Sequence, residues 1–185
     1  AKTRAKIYYD VNDALVIKRS AELFARDIQM VTGQKPELIQ KRERAKALVI
    51  VGTIEKNQWI CELAQKGKID IRPLQGAWER YLIQTVDNPS PGVAKALVIA
   101  GSDRRGAAYG LFSISEMMGV SPWYWWGDVP VKTHKALYVD APPTYSKTPS
   151  VKYRGIFLND EDWGLKPWAA KTFELSLIHI SEPTR

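Results

Sequence analysis

Apolar and polar positions along this chain follow two rhythms, and the switches between them mark out its elements. Ala5–Tyr9 is a short apolar and aromatic run closed by Asp10, and it reads as a strand. From about Leu15 to Val31 the period lengthens. Leu23, Phe24, Ile28 and Val31 recur at helical spacing, while Lys18, Arg19, Glu22 and Arg26 fall largely on another side. Thr32-Gly33 closes that helix, glycine being the usual residue just past a helix end. Pro36–Ile39 is short and fits a second strand. Ala45–Gly52 (AKALVIVG) is a continuous β-branched run, the pattern of a strand covered on both faces. Asn57–Gln65 predicts a short helix with Trp59, Ile60 and Leu63 turned inward, and Trp78–Val86 alternates as a strand. Asn88-Pro89-Ser90-Pro91-Gly92 is a turn cluster.

Lys95–Gly101 (KALVIAG) repeats the earlier apolar run almost letter for letter, an echo of strand composition rather than a repeat array. A helix follows to about Met118, capped by Ser102 or Asp103, with Ala108, Leu111, Phe112, Ser115 and Met118 as its inner stripe. Ala136–Asp140 predicts another short strand, and Pro142-Pro143 opens a linker ending near Ser150. Val151–Leu158 (VKYRGIFL) then starts a new strand that runs into Asn159-Asp160-Glu161-Asp162-Trp163. Strands alternating with helices define an α/β protein. A strand with carboxylates at its C-terminal end is typical of an active-site edge, particularly in a βα barrel. The expected architecture is an N-terminal mixed sheet flanked by helices over 1–150, followed over 151–174 by the first strand of a truncated TIM-type barrel.

Composition narrows the function classes. The hydrophobic share of 45% and the charged share of 25% are those of a globular protein. Formal net charge is +7, but the basic residues are dispersed, and the one local cluster (Lys41, Arg42, Arg44, Lys46) reads as a solvated loop. Charge alone does not make the chain a nucleic-acid binder. Cys61 is the only cysteine, which excludes an intrachain disulfide, and His134 and His179 cannot build a zinc site by themselves. No run is apolar enough to span a bilayer and no signal peptide opens the chain, although Ala1 in place of Met leaves a removed leader open. No cofactor is expected.

Three segments carry candidate chemistry. Gly101-Ser102-Asp103-Arg104-Arg105-Gly106 has the look of a phosphate loop, but it lacks the Lys-Ser/Thr pair and the Gly-x-Gly-x-x-Gly spacing. Gly106 and Gly110 are better explained as letting the helix approach the sheet. In Ser121-Pro122-Trp123-Tyr124-Trp125-Trp126-Gly127-Asp128, four successive aromatics cannot all reach one core, so some face a domain interface or a sugar. The two readings stay open, with Trp126 a candidate sugar contact. Asp160, Glu161 and Asp162 are three successive carboxylates, costly to hold together without a partner or a task. Glycoside hydrolysis is one such task, because it needs one carboxyl group to protonate the leaving oxygen and another to attack or to activate water. An exposed acidic turn is the plainer alternative.

Three stretches, GSDRRGAAYG (Gly101–Gly110), SPWYWWGDVP (Ser121–Pro130) and above all YRGIFLNDEDWGLKPWAAKTFE (Tyr153–Glu174), resemble glycoside hydrolase family 115. The resemblance covers nearly everything from Ile7 to Glu174. It implies an α-glucuronidase that removes glucuronic acid or its 4-O-methyl ether from xylan and related plant polysaccharides by inversion. It also implies secretion or a periplasmic location. Among residues, it implies Asn159 as a hydrogen-bonding partner of the sugar and Asp162 as a catalytic or sugar-binding carboxylate. Asp160, Glu161 and Trp163 would be sugar-contacting or supporting neighbours. The second carboxylate, oligomeric state and exact polysaccharide lie beyond these residues.

After Glu174 the pattern breaks. LSLIHISEPTR (Leu175–Arg185) resembles the forward translation of a sequencing adapter, and such a scar is left out of fold reasoning. His179 and Glu182 therefore receive no role. The resulting expectation is an inactive front piece of a glycoside hydrolase. The rival is a self-contained carbohydrate-binding or interaction module using the Trp123–Trp126 cluster.

Overall fold

The computed structural model describes residues 4–124, 127–155 and 165–173, and its apolar runs assemble into one six-stranded sheet. In chain order the elements are β1 (Lys6–Tyr9), α1 (Leu15–Thr32), β2 (Glu37–Ile39), β3 (Leu48–Thr53), α2 (Gln58–Gln65), β4 (Tyr81–Ser90), β5 (Val93–Gly101), α3 (Arg104–Met117) and β6 (Thr144–Tyr145). The strand order is β2-β1-β3-β5-β4-β6. The first four run parallel, and β4 and β6 are antiparallel to their neighbours. This is the mixed sheet flanked by helices that the sequence predicts.

Alternation of side chains across the pleat sorts the apolar residues into two layers. Ile7, Tyr9, Val49, Val51, Leu97 and Ile99 meet Ile17 and Phe24 of α1 and Leu111 and Ile114 of α3. On the other face Tyr8, Ile50 and Val98 meet Trp59, Ile60 and Leu63 of α2, with Leu74 from a single 3-10 turn. Each of these fully buried aliphatic side chains contributes about 1.5–3 kcal/mol relative to exposure. Gly33, at φ 72°, ends α1 with its N–H on the Gln29 carbonyl at 2.8 Å.

Small residues set how closely α3 lies on the sheet. A Cβ at Gly106 would strike the Arg80 carbonyl oxygen, and one at Gly110 would lie 2.6 Å from Ile99 Cγ2. The line of closest approach therefore runs through Gly106 and Gly110, and of the expected stripe Ala108, Leu111 and Ser115 are buried and Met118 packs against the core, while Phe112 falls outside it. Phe112 is 38% exposed, while Ala107 and Ile114 are buried. In α1, Leu23 is likewise 44% exposed, because Ala21 and Ala25 occupy the buried face beside Phe24.

Two further expectations change. Strand β4 continues through Asn88 and Pro89 to Ser90, with the register shift between Asp87 and Ser90 accommodating the proline. No strand forms over Ala136–Asp140. The outer edge of β4 is met only from Ala141 onward, where Thr85 N–H donates to the Ala141 carbonyl at 2.8 Å, and then by β6. The apolar residues before that point have no sheet edge to join.

The chain divides into two units, Ala1–Pro149 and Ser150–Arg185. In the second, residues 151–155 form no strand, and 156–158, the rest of the expected barrel strand, lie outside the described residues. Residues 151–155 pair with no strand among the described residues. The same unit holds a helix the sequence reading did not anticipate, α4 (Leu165–Phe173), with Pro167 in its first turn, where a missing N–H costs little.

Candidate functional site

Asn159, Asp160, Glu161, Asp162 and Trp163 all lie outside the described residues, as does Trp126. Of the aromatic cluster, Trp123 is described. It is 52% exposed in a short turn held by Tyr124 N–H on the Ser121 carbonyl at 3.0 Å.

The described polar groups concentrate at the carboxyl ends of the parallel strands, where open α/β sheets receive ligands. Asp10, just past β1, accepts from the Asn12 N–H at 3.0 Å and from the Gln58 N–H at 3.1 Å. Asp13 accepts from the Thr53 N–H at 2.7 Å and from the Thr53 hydroxyl at 3.0 Å. Asn57 is fully buried; its amide donates to the Val51 carbonyl at 2.9 Å and its oxygen caps α2 by accepting from Ile60 N–H at 3.1 Å. These side chains tie β1 and β3 to α2, so they serve the fold.

The Gly101–Gly106 turn has the same character. Asp103 caps α3, its Oδ1 accepting from Arg105 N–H at 2.9 Å and Gly106 N–H at 2.8 Å. Its Oδ2 accepts from the N–H of Glu79 at 2.7 Å. Ser102 Oγ accepts from Arg80 N–H at 3.0 Å, and the Arg80 guanidinium donates to the Ser146 carbonyl at 2.6 Å and the Pro73 carbonyl at 2.8 Å. The donors a phosphate would use are already taken by a carboxylate of the chain itself. Asp103→Ala removes all three bonds and is expected to cost about 1–2 kcal/mol, with amide exchange accelerating first at the start of α3. Unchanged exchange there would count against the cap.

One buried acid escaped the sequence reading, although its place among Phe24, Ile28 and Val31 on α1 is a visible interruption of an apolar stripe. Asp27 accepts a 2.6 Å bond from the Ser115 hydroxyl of α3. Burial pushes its carboxyl above the ordinary value of 3.8, opposed by the Ser115 bond and by Arg26. Such a group holds more protons folded than unfolded, so stability falls as pH rises from 3.8 through the raised value. Asp27→Asn is therefore expected to melt higher than the parent at pH 7. The gap should shrink as pH is lowered toward 4; a gap that stays constant or widens would contradict the assignment.

Burial also pushes the Cys61 thiol up, and its Sγ donates to the Ile54 carbonyl at 3.2 Å, so it is held as an unreactive thiol. Among the described residues no group of three His, Cys, Asp or Glu is placed to hold a metal, and no helix is long and apolar enough to cross a membrane.

The fold and the sequence of the acidic corner together place the chain among glycoside hydrolases. A solved structure described as a family GH115 4-O-methyl-α-glucuronidase, BtGH115A, with specificity for decorated arabinogalactans, aligns at TM-score 0.75 and 35% identity over 94% of this chain. The sequence model of glycosyl hydrolase family 115 matches residues 146–182, which contain the whole acidic corner. The chain belongs to glycoside hydrolase family 115. It spans 21% of the length of that solved neighbour. A second solved structure, CpGH84D, aligns at TM-score 0.47 and 11% identity over 63% of this chain and 18% of its own, too distant to bear on the fold. No curated protein matches.

Proposed function

We infer that the whole protein is an α-glucuronidase that releases glucuronic acid or its 4-O-methyl ether from a plant polysaccharide. Residues 1–150 would be its N-terminal accessory domain, 151–174 the start of a (β/α)8 barrel and 175–185 a foreign tail. The carrying observation is the likeness to a 4-O-methyl-α-glucuronidase over nearly the full length of this chain.

In this reading the carboxyl group of Asp162 either protonates the leaving oxygen or activates the attacking water. Asn159 hydrogen-bonds the uronate hydroxyls, with Asp160, Glu161 and Trp163 beside them and Trp126 offering a stacking face. Inversion calls for two carboxyl groups about 6.5–9.5 Å apart with water between. Neighbours in one turn do not reach that separation, so the second carboxylate comes from a later barrel strand. A barrel of about 250 residues builds its site from several loops, so the 185-residue chain alone is expected to be inactive. A secreted or periplasmic enzyme fits a polymeric substrate outside the cell.

The solved neighbour's specificity for decorated arabinogalactans and the glucuronic-acid-bearing xylan implied by the family resemblance name two polymers to compare. Incubating the full-length protein with each, and following the freed uronic acid by proton NMR, tests the reading. Release of the β-anomer first, from an α-linked branch, is expected. Release from neither polymer removes the glucuronidase assignment, and the α-anomer first removes inversion.

A second reading rests on the half-exposed Trp123: a carbohydrate-binding or interaction module that functions without the barrel. Titrating the 185-residue chain with acidic xylan fragments, read by tryptophan fluorescence, separates the two. Saturation favours the module.

A further inference from the structure

The edge of the sheet opposite the polar rim is built on different chemistry. Arg4, Lys35 and Lys46 stand just before β1, β2 and β3, and Lys95 lies near the start of β5. With Lys135 they rim a cavity of ≈ 740 Å³. Its floor is apolar, formed by Phe24, Val49, Leu97 and Ile114, all buried. No aspartate or glutamate lines it. Lys95 is answered by Asp87 at 3.7 Å and Asp140 at 3.4 Å. Among the described residues, the side chains of Arg4, Lys35, Lys46 and Lys135 make no hydrogen bond or ion pair.

Residues 135–139 complete the wall of the cavity as a strap fastened only at its ends. His134 N–H donates to the Val31 carbonyl at 2.7 Å before it, and Ala141 N–H donates to the Thr85 hydroxyl at 2.9 Å after it. Between those pins, residues 135–139 make no backbone hydrogen bond with described residues. The apolar run that fails to become a strand thus forms one side of a cavity.

We propose that this cavity binds a small organic anion with an apolar body, of the alkyl- or aryl-carboxylate class. The carboxylate sits among the unanswered cations and the body lies on the floor under the strap. Four like charges around one opening repel one another, and an anion relieves that repulsion. The volume and the apolar lining with a few charged groups are those of a small-molecule site. A free sugar acid satisfies the cations but presses hydroxyl groups against a floor that cannot hydrogen-bond them. Inorganic phosphate leaves the floor unused. The site does not rest on the glucuronidase reading.

The probe is octanoate, titrated calorimetrically into the 185-residue chain, with 1-octanol, D-glucuronate and inorganic phosphate as comparisons. Saturable one-to-one binding of octanoate is expected, with each comparison weaker by about tenfold or more. The double variant Lys35→Glu, Lys46→Glu keeps the floor and alters only surface charge. Its circular dichroism and melting should match the parent while octanoate affinity drops by about tenfold or more. Absence of saturation, octanol binding as tightly as octanoate, glucuronate or phosphate binding as tightly, or a double variant of undiminished affinity would each overturn the proposal.

Discussion

Asp162→Asn in the full-length protein is expected to lower kcat by about 10²–10⁴-fold with KM nearly unchanged. The substitution keeps the shape and the hydrogen-bonding reach of the side chain but replaces a titratable carboxyl group with an amide that neither gives nor takes a proton near neutral pH, so binding should survive and proton transfer should not. The substrate then tells which proton is involved. If Asp162 protonates the leaving oxygen, an aryl glucuronide with an acidic phenol needs little help in leaving and should lose far less rate than the polymer. If Asp162 activates water, both substrates should lose rate alike. Retention of more than roughly a tenth of parental turnover on both would remove Asp162 from the reaction, since a positioned general acid or base contributes at least about 10²-fold. Asn159→Ala supplies the contrast, because losing a hydroxyl partner should raise KM as well.

Trp59→Ala is expected to destabilise the 185-residue chain by about 3–5 kcal/mol, read as a lowered urea midpoint at constant slope. That is about a fifth or more of the roughly 5–15 kcal/mol available to a typical domain. Trp59 is 1% exposed and the largest of the fully buried side chains. It meets Tyr8 edge-on at 4.8 Å between ring centroids. The Arg42 guanidinium stands 5.0 Å above its ring while paired with Glu62 at 2.8 Å. Alanine leaves a cavity under α2 and strips Arg42 of its aromatic seat. Trp59→Phe is the control. Its indole Nε1–H has no hydrogen-bond partner among the described residues, so phenylalanine loses area but also removes an unsatisfied donor. It should cost roughly half as much as alanine or less. Equal losses for the two variants would place the stabilisation in something other than the ring.

Legibility followed how local the determining physics was. The runs that became β3 and β5 were plain from sequence because a strand covered on both faces must be apolar throughout. Gly33 was readable for a similar reason, and Asp103 was one of the two caps the sequence offered for α3, since helix ends are set by residues within a turn of the end. Phe112 and Leu23 misled because helix rotation is set by the partner surface: in α3 Gly106 and Gly110 decide it through contact with Arg80 and Ile99, and in α1 Ala21 and Ala25 take the buried face. Ala136–Asp140 misled because apolar composition settles neither burial nor pairing: Tyr138 is 93% and Val139 44% exposed, and no strand forms. Strand β6 has two residues, too few to carry a period. For the acidic corner, the resemblance to family 115 was legible in the residues themselves, while the roles of Asn159 and Asp162 depend on carboxylates from other strands. The basic loop was legible as a loop, but not its division: Arg42 joins the α2 face, and Lys46 the cavity.

The two outermost strands are stubs, β2 with three residues and β6 with two. A long unpaired border would offer a row of free amides onto which another polypeptide could zip, and repeated zipping is how fibres grow. At β2 and β6 a newcomer finds too few bonds to hold it, and β6 with Ala141 covers the first half of β4. While the chain is still folding, such an ending guards against polymerisation.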